Sequence, residues 1–286
     1  MNEQSHPAGA RRKWRRGLDP LVGSLVVWII FLLFLAPYLY LIVWSFKHPG
    51  DIQAYPPRFF SPLTLLNYRQ VFEDVNISFY LRNSTIVATA TTLLSVLLAI
   101  PAAYSFARFR FWGQDWLAYL LIAIMVAPLI ALVYPFLVMA NQLGLNDTHL
   151  GLIFFYLPWN VPFAVWMLRT FISDVPQELE ESARVDGCTL LGAFGRITMP
   201  LLLPGFFTTG IFIFIGAWNE FVIAFFLTST KARTLPTTID FFLTYGSFQF
   251  APMFAAGVVG TLPIAVCALL VRRYYLAGTT AGALKG

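Results

Sequence analysis

The sequence predicts an all-α integral membrane protein with six transmembrane helices and both termini on the cytoplasmic side. Three observations carry this reading. Hydrophobic residues make up 58% of the 286 and charged residues only 12%, against about 25% charge in an ordinary soluble domain. Six apolar segments are long enough to span a bilayer, since a helix rises about 1.5 Å per residue and the hydrocarbon core is ~30 Å thick. Lys and Arg are also divided unequally between the two sides that those segments imply. The composition excludes a disordered chain, a collagen, a coiled coil and a nucleic-acid-binding domain. The lipid bilayer is the solvent, and no nucleic acid is expected as a partner.

Residues 1–20 read as a basic cytoplasmic tail, with the cluster Arg11, Arg12, Lys13, Arg15 and Arg16. The first span, Leu21–Phe46, far exceeds the 7–15 apolar residues of a signal peptide, so it is retained as an anchor. The connection Lys47–Asn83 is outside, rich in Pro and aromatics, and is expected on the membrane surface or against a partner. The second and third spans are Ser84–Phe106 and Trp116–Met139. Pro128 and Pro135, seven apart in the third, are its hinge candidates, because proline frees a backbone carbonyl and kinks a helix. Gly151–Leu168, Leu203–Leu227 and Phe254–Val271 complete the six, giving a membrane domain over 21–277 and a short cytoplasmic tail over 278–286. With the N-terminus inside, thirteen Lys and Arg residues fall on the cytoplasmic side and six outside, and none lies in a span. Trp28, Trp116 and Trp159, near span ends, are candidates for an interfacial belt.

Arg169–Leu202 is the informative connection. A bundle reverses direction in about 2–8 residues, and this cytoplasmic excursion is far longer. It begins like a helix: Ser173 or Asp174 suits a cap, Pro176 the first turn, and Glu178, Glu180 and Glu181 the positive end of the dipole. Glu180 and Arg184 stand four apart in the favourable order. Gly187 is placed to stop the helix in a left-handed conformation. A second helix is expected over Thr189–Ile197, ending before Pro200. Small side chains at the elbow would let another protein approach the backbone.

Glu181-Ser182-Ala183, then Asp186-Gly187, then nine residues, then Ile197-Thr198-Met199-Pro200 resembles the EAA motif, E-A-A-x-x-x-G-x9-I-x-L-P. That motif marks the membrane permease subunits of binding-protein-dependent ABC importers. Ser182 and Met199 depart from it. Asn67-Tyr68, Asn83-Ser84, the stretch Ala102–Arg108 and Ala217–Phe221 are similar to the carbohydrate-uptake branch of the family, as is the tail from Gly278. The resemblance implies a type I importer permease fold in a bacterial or archaeal cytoplasmic membrane. It implies four kinds of partner: a second six-span permease, an ATP-binding subunit dimer, an extracytoplasmic solute-binding protein or lipoprotein, and lipid. The loop would be a coupling helix docked on the ATPase. Glu181 would make a polar contact, Ser182 and Ala183 a close-packing surface, Asp186 and Gly187 the elbow, and Ile197 and Pro200 the attachment to the membrane part. Gly187→Pro is expected to assemble poorly and uncouple transport. The Thr228–Met253 loop would touch the solute-binding protein, and the C-terminal tail the ATPase.

Glu220 is the acid expected well inside a span, with Asn219 beside it. A buried acid at a helix centre costs about 2.5–3.5 kcal/mol on insertion scales and faces protein or a wet cavity. Two readings stand: Asn219 and Glu220 line the substrate path and bond to sugar hydroxyls, or they bond to backbone or to a partner helix and hold the bundle together.

No G-x-x-x-x-G-K-[ST] sequence is present. ATP with magnesium would therefore act on the partner ATPase, and the chain itself is expected to bind no cofactor. His6, His48 and His149 have no metal-ligand spacing, and no catalytic constellation appears. The expected function is that of a non-enzymatic permease subunit of an ATP-driven sugar importer. An importer of a non-sugar solute is the alternative, followed by an ion-coupled secondary transporter, for which a single intramembrane acid is a poor supply of ion ligands.

Overall fold

The computed structural model describes residues 20–244 and 247–282. The basic cluster Arg11–Arg16 and Lys285 lie outside the described residues. In chain order the helices are α1 (Pro20–Ser45), α2 (Pro49–Gln53), α3 (Leu66–Glu73), α4 (Ile77–Arg108), α5 (Gln114–Val126), α6 (Leu129–Leu143) and α7 (His149–Asp174). There follow α8 (Gln177–Val185), α9 (Leu190–Ala193), a π-helical turn over Phe194–Thr198, α10 (Met199–Leu201), α11 (Leu203–Asn219) and α12 (Val222–Leu227). A 3₁₀ helix (Leu235–Phe242) and a two-residue ladder pairing β1 (Leu243–Thr244) with β2 (Ser247–Phe248) precede α13 (Phe250–Gly282).

The fold is all-α and spans a membrane. By length and composition four helices are sufficient to cross one: α1, α4, α7 and α13. Two bent pairs bring the number to as many as six when each is counted as one span. The expected third span is one of them: α5 and α6 meet at 93°. The bend falls at Pro128, where Ala127 takes an extended ψ of 129°, the conformation that a following proline imposes. Pro135 lies inside α6, which continues past it to Leu143. The expected fifth span is α11, which stops at Glu220 and restarts at Val222 as α12. The segment Leu190–Leu201 leads into α11 at 69°.

Several ends differ from expectation because the helices outrun the hydrocarbon. α4 begins at Ile77 rather than Ser84, and α7 runs to Asp174 rather than Leu168. Ser173 and Asp174 therefore finish α7 instead of capping the next helix, and the Ser173 hydroxyl donates to the Arg169 carbonyl. α13 continues to Gly282, so the expected tail is helical through that residue. The ring of Trp159, one of the belt candidates, packs 5.8 Å from that of Phe136 beside the core.

The core lies along α4, α7 and α11. Ala99 and Ala103 of α4 face Ala164, Val165 and Leu168 of α7 in one buried cluster. Small residues let helix backbones approach where lipid supplies no hydrophobic drive between helices. Gly205 of α11 is required by one such approach, since a Cβ there would lie 2.6 Å from the Phe171 ring. A second cluster, around Val87, Phe155, Tyr156 and Trp218, fills the other half of the bundle. α1 packs on α13, and its apolar window buries none of its residues.

Candidate functional site

Pro176 separates α7 from α8. Val175, immediately before it, is extended at ψ 120°, which ends α7 and turns the chain. Glu178 and Glu180 occupy the first turn of α8, and Arg184 the last, both matched to the helix dipole. The exit is a Schellman turn. The Cys188 amide donates to the Ala183 carbonyl at 2.9 Å and the Gly187 amide to that of Arg184 at 3.1 Å. Gly187 sits at φ +93°, as the left-handed residue of that motif must. Thr189 caps the next helix by accepting the Gly192 amide at 3.1 Å. The helical path then continues through the π turn and past Pro200 to Leu201. Proline lacks an amide donor, and the wide turn over Phe194–Thr198 precedes it, so the second helix does not end where expected.

This bent loop is fixed from below by one buried carboxylate. Glu180 is 4% exposed. It accepts hydrogen bonds from the Tyr104 hydroxyl at 2.6 Å, the Arg108 Nε at 3.0 Å and the Thr198 hydroxyl at 2.8 Å. An Arg108 guanidinium nitrogen lies 2.8 Å from the same carboxylate and donates to the Val175 carbonyl at 2.9 Å. The expected Glu180–Arg184 pair is absent: the Glu180 carboxylate is taken up by Tyr104, Arg108 and Thr198, and the Arg184 side chain is exposed. Burial pushes the Glu180 carboxyl up, but the three donors and the Arg108 charge outweigh it and hold it below its ordinary value. Tyr104, Arg108, Glu180 and Thr198 are site residues that the motif did not single out. Their signal was the four-residue spacing of Tyr104 and Arg108, which puts both on one face of α4.

The motif residues sit above this anchor. Glu181, Ser182, Asp186 and Gly187 are exposed, and Ala183 is half-buried. Glu181 accepts from Gln177 at 3.0 Å. Val185 is 87% exposed and Leu191 80%, so the elbow offers apolar side chains beside the acids. Ile197 is half-buried in the π turn and Pro200 is exposed in α10.

Asn219 and Glu220 form a separate locus at the α11–α12 break. The Glu220 carboxylate accepts the Ile223 amide at 2.8 Å and the Ala224 amide at 3.1 Å, capping α12. The exposed Asn219 side chain donates to the Ile215 carbonyl and lines a cavity of about 280 Å³ with Trp218, Thr238 and Thr261.

A third constellation joins the connections at the other end of α4. The Asn83 amide donates to the Lys231 and Arg233 carbonyls at 3.1 and 2.9 Å, and its oxygen lies 2.8 Å from His149 Nε2. The Ser84 hydroxyl accepts the Leu235 amide at 2.8 Å. Asp147 accepts the backbone amides of Ser229, Thr230, Lys231 and Ala232 at 3.0–3.1 Å. Burial pushes the Asp147 carboxyl up, but these amides and the Thr230 hydroxyl hold it well below the usual carboxylate range.

Residues 95–279 match the family described as binding-protein-dependent transport system inner membrane component. This chain belongs to that family. It is a multi-pass permease subunit of a transport system and not an enzyme. The trehalose/maltose transport system permease protein MalG of Thermococcus litoralis is 35% identical over 270 residues, covering 93% of this chain and 96% of that protein. The trehalose transport system permease protein SugB of Mycobacterium tuberculosis is 38% identical over 231 residues, covering 79% and 84%. Among solved structures, a bacterial ABC transporter involved in the import of the acidic polysaccharide alginate shares the fold. Its TM-score is 0.73 at 19% identity, over 89% of this chain and 95% of that one.

Proposed function

We propose that this permease forms one half of the membrane channel of an ATP-driven importer of sugars or glycosides. It works with a second six-span permease, a dimeric ATPase and an extracytoplasmic solute-binding protein, in the cytoplasmic membrane of a bacterium or archaeon. Both termini and the Arg169–Leu202 loop lie inside. The observation that carries this reading is the shape of that loop. Its motif residues Glu181, Ser182, Asp186 and Gly187 are turned outward on a bent elbow, while Glu180 ties the elbow to α4. Such an element can be gripped from outside and can pass displacement to the bundle.

Sugar as the substrate class is supported by the names of the relatives, which include a diacetylchitobiose uptake permease from Streptomyces coelicolor at 31% identity. A structural neighbour was solved with an alginate pentasaccharide-bound periplasmic protein. The loop over 228–253, pinned by Asp147 and Asn83, is our candidate contact for such a protein. Asn219 and its cavity are our candidate for part of the substrate path. Glu220 shapes that region by capping α12.

The test is purification of the intact complex from the source organism, followed by a screen of which sugar-loaded binding protein raises its ATP hydrolysis. Cysteine crosslinking from Ser182 or Asp186 should capture the ATPase in native vesicles. Failure of both crosslinks to reach a nucleotide-binding subunit would overturn the coupling assignment.

A further inference from the structure

The end of the bundle that carries the bent loop also holds a recess beside it. Its volume is about 820 Å³, between the last turn of α4, residues 109–113, the start of α5, α7 and Gln177 at the start of α8. Arg108, Arg110 and Arg169 line it, and Asp115 is the one acid in the lining. Arg108 is committed to Glu180 and the Val175 carbonyl. Arg110 and Arg169 take part in none of the ion pairs among the described residues. Arg169 is nonetheless held in place: its guanidinium carbon lies 5.2 Å from the Trp166 ring centroid and 5.9 Å from that of Phe106. Stacking on aromatic faces orients a guanidinium while leaving its N–H groups free to donate.

The surroundings fix the kind of anion. Trp116, in the lining, is 70% exposed, and Trp112, in the adjoining turn, is 99% exposed. Both sit where the polar turn gives way to the apolar run of α5, the depth at which amphipathic indoles mark a membrane interface. α5 buries none of its residues, and Leu117 and Leu120 continue an exposed apolar face away from the recess. Cations at headgroup depth, indoles beside them and an apolar track beyond match one ligand: an anionic phospholipid, with its phosphate between Arg110 and Arg169 and its acyl chains along α5. We propose that this recess is an anionic-lipid site.

The test is native mass spectrometry of the assembled transporter, titrated in detergent with phosphatidylglycerol, phosphatidylcholine or inorganic phosphate. Phosphatidylglycerol should stay bound where phosphatidylcholine is lost. Its occupancy should fall about fivefold in Arg110→Gln, the effect of removing one base near an anionic headgroup. Arg110 is exposed and unpaired among the described contacts, so this variant tests binding without disturbing the core. Arg169→Lys keeps the charge but loses the planar fork, and should weaken retention less than Arg169→Gln. Equal retention of the two lipids, or no change in Arg110→Gln, would overturn the proposal. So would displacement of the lipid by millimolar phosphate, which would mark a free-anion site, or lipid binding that appears only after the ATPase is stripped away.

Discussion

Arg108 and Glu180 lie 72 residues apart in sequence and 2.8 Å apart in space, with side chains only 7% and 5% exposed. Removing one member of a buried ion pair costs about 3–5 kcal/mol, because the other charge is left without a partner. Arg108→Ala should therefore lower the melting temperature of the purified complex and expose the 175–189 segment to protease. The double variant Arg108→Gln/Glu180→Gln should recover part of that loss. A double variant no better than Arg108→Ala would show that the pair does not couple.

Acid should loosen the loop before it loosens the bundle. A carboxyl held below its ordinary value stabilises the folded state above that value, and the contribution is lost as pH falls through the lower folded-state value. For Glu180 the loss begins below its ordinary 4.5 and is completed further down. Hydrogen exchange of α8 amides should rise on acidification below pH 4.5. In Tyr104→Phe, which removes one donor to the carboxylate, the folded-state value rises, so the acid-induced increase should be smaller and complete at higher pH.

Gly187 tests backbone geometry free of packing, since an added Cβ there would meet nothing within 4 Å. An L residue in the left-handed region costs about 1–2 kcal/mol. Gly187→Asn should retain most transport-coupled ATP hydrolysis, Gly187→Val should lose a large part, and Gly187→Pro should fail. Proline cannot reach φ +93° and removes the amide bonded to Arg184.

Asp147→Ala leaves four backbone amides without their acceptor. Hydrogen bonds to a charged group are worth about 1.5–3 kcal/mol each before solvent replaces them. Limited proteolysis should cut the 228–234 segment at least several-fold faster than in the parent, while Asp147→Asn falls between.

Glu220→Gln keeps one amide of α12 capped, and Glu220→Ala keeps neither. Assembly measured by co-purification should be near normal in the first and reduced in the second. Loss of uptake in assembled Glu220→Gln would give the carboxylate a role in the path as well.

The sequence made the local features plain. Gly187 could be recognised because a helix that must stop and turn has few chemical options, and Pro176 for the same reason. The six apolar segments were visible because lipid imposes one length on every crossing. The partner of Glu180 was hidden: an acid four residues before an arginine satisfies a helical rule, and nothing nearby says that a tyrosine and an arginine in another helix hold it instead. Pro128 and Pro135 look alike in sequence. The chain breaks at the first and stays helical past the second. Glu220 announced itself as an acid out of place, but its use as a cap for α12 required the break at Phe221, which the unbroken apolar pattern conceals.

α4 holds both ends of the machine. Asn83, on its second turn, grips the 231–233 backbone, and Arg108, at its last residue, grips α8. The two lie about 37 Å apart along one helix, uninterrupted from Ile77 to Arg108. On the coupling reading proposed above, a tug on the elbow would reach the far loop as the tilt of one crankshaft, and Pro101 is the single proline along its length.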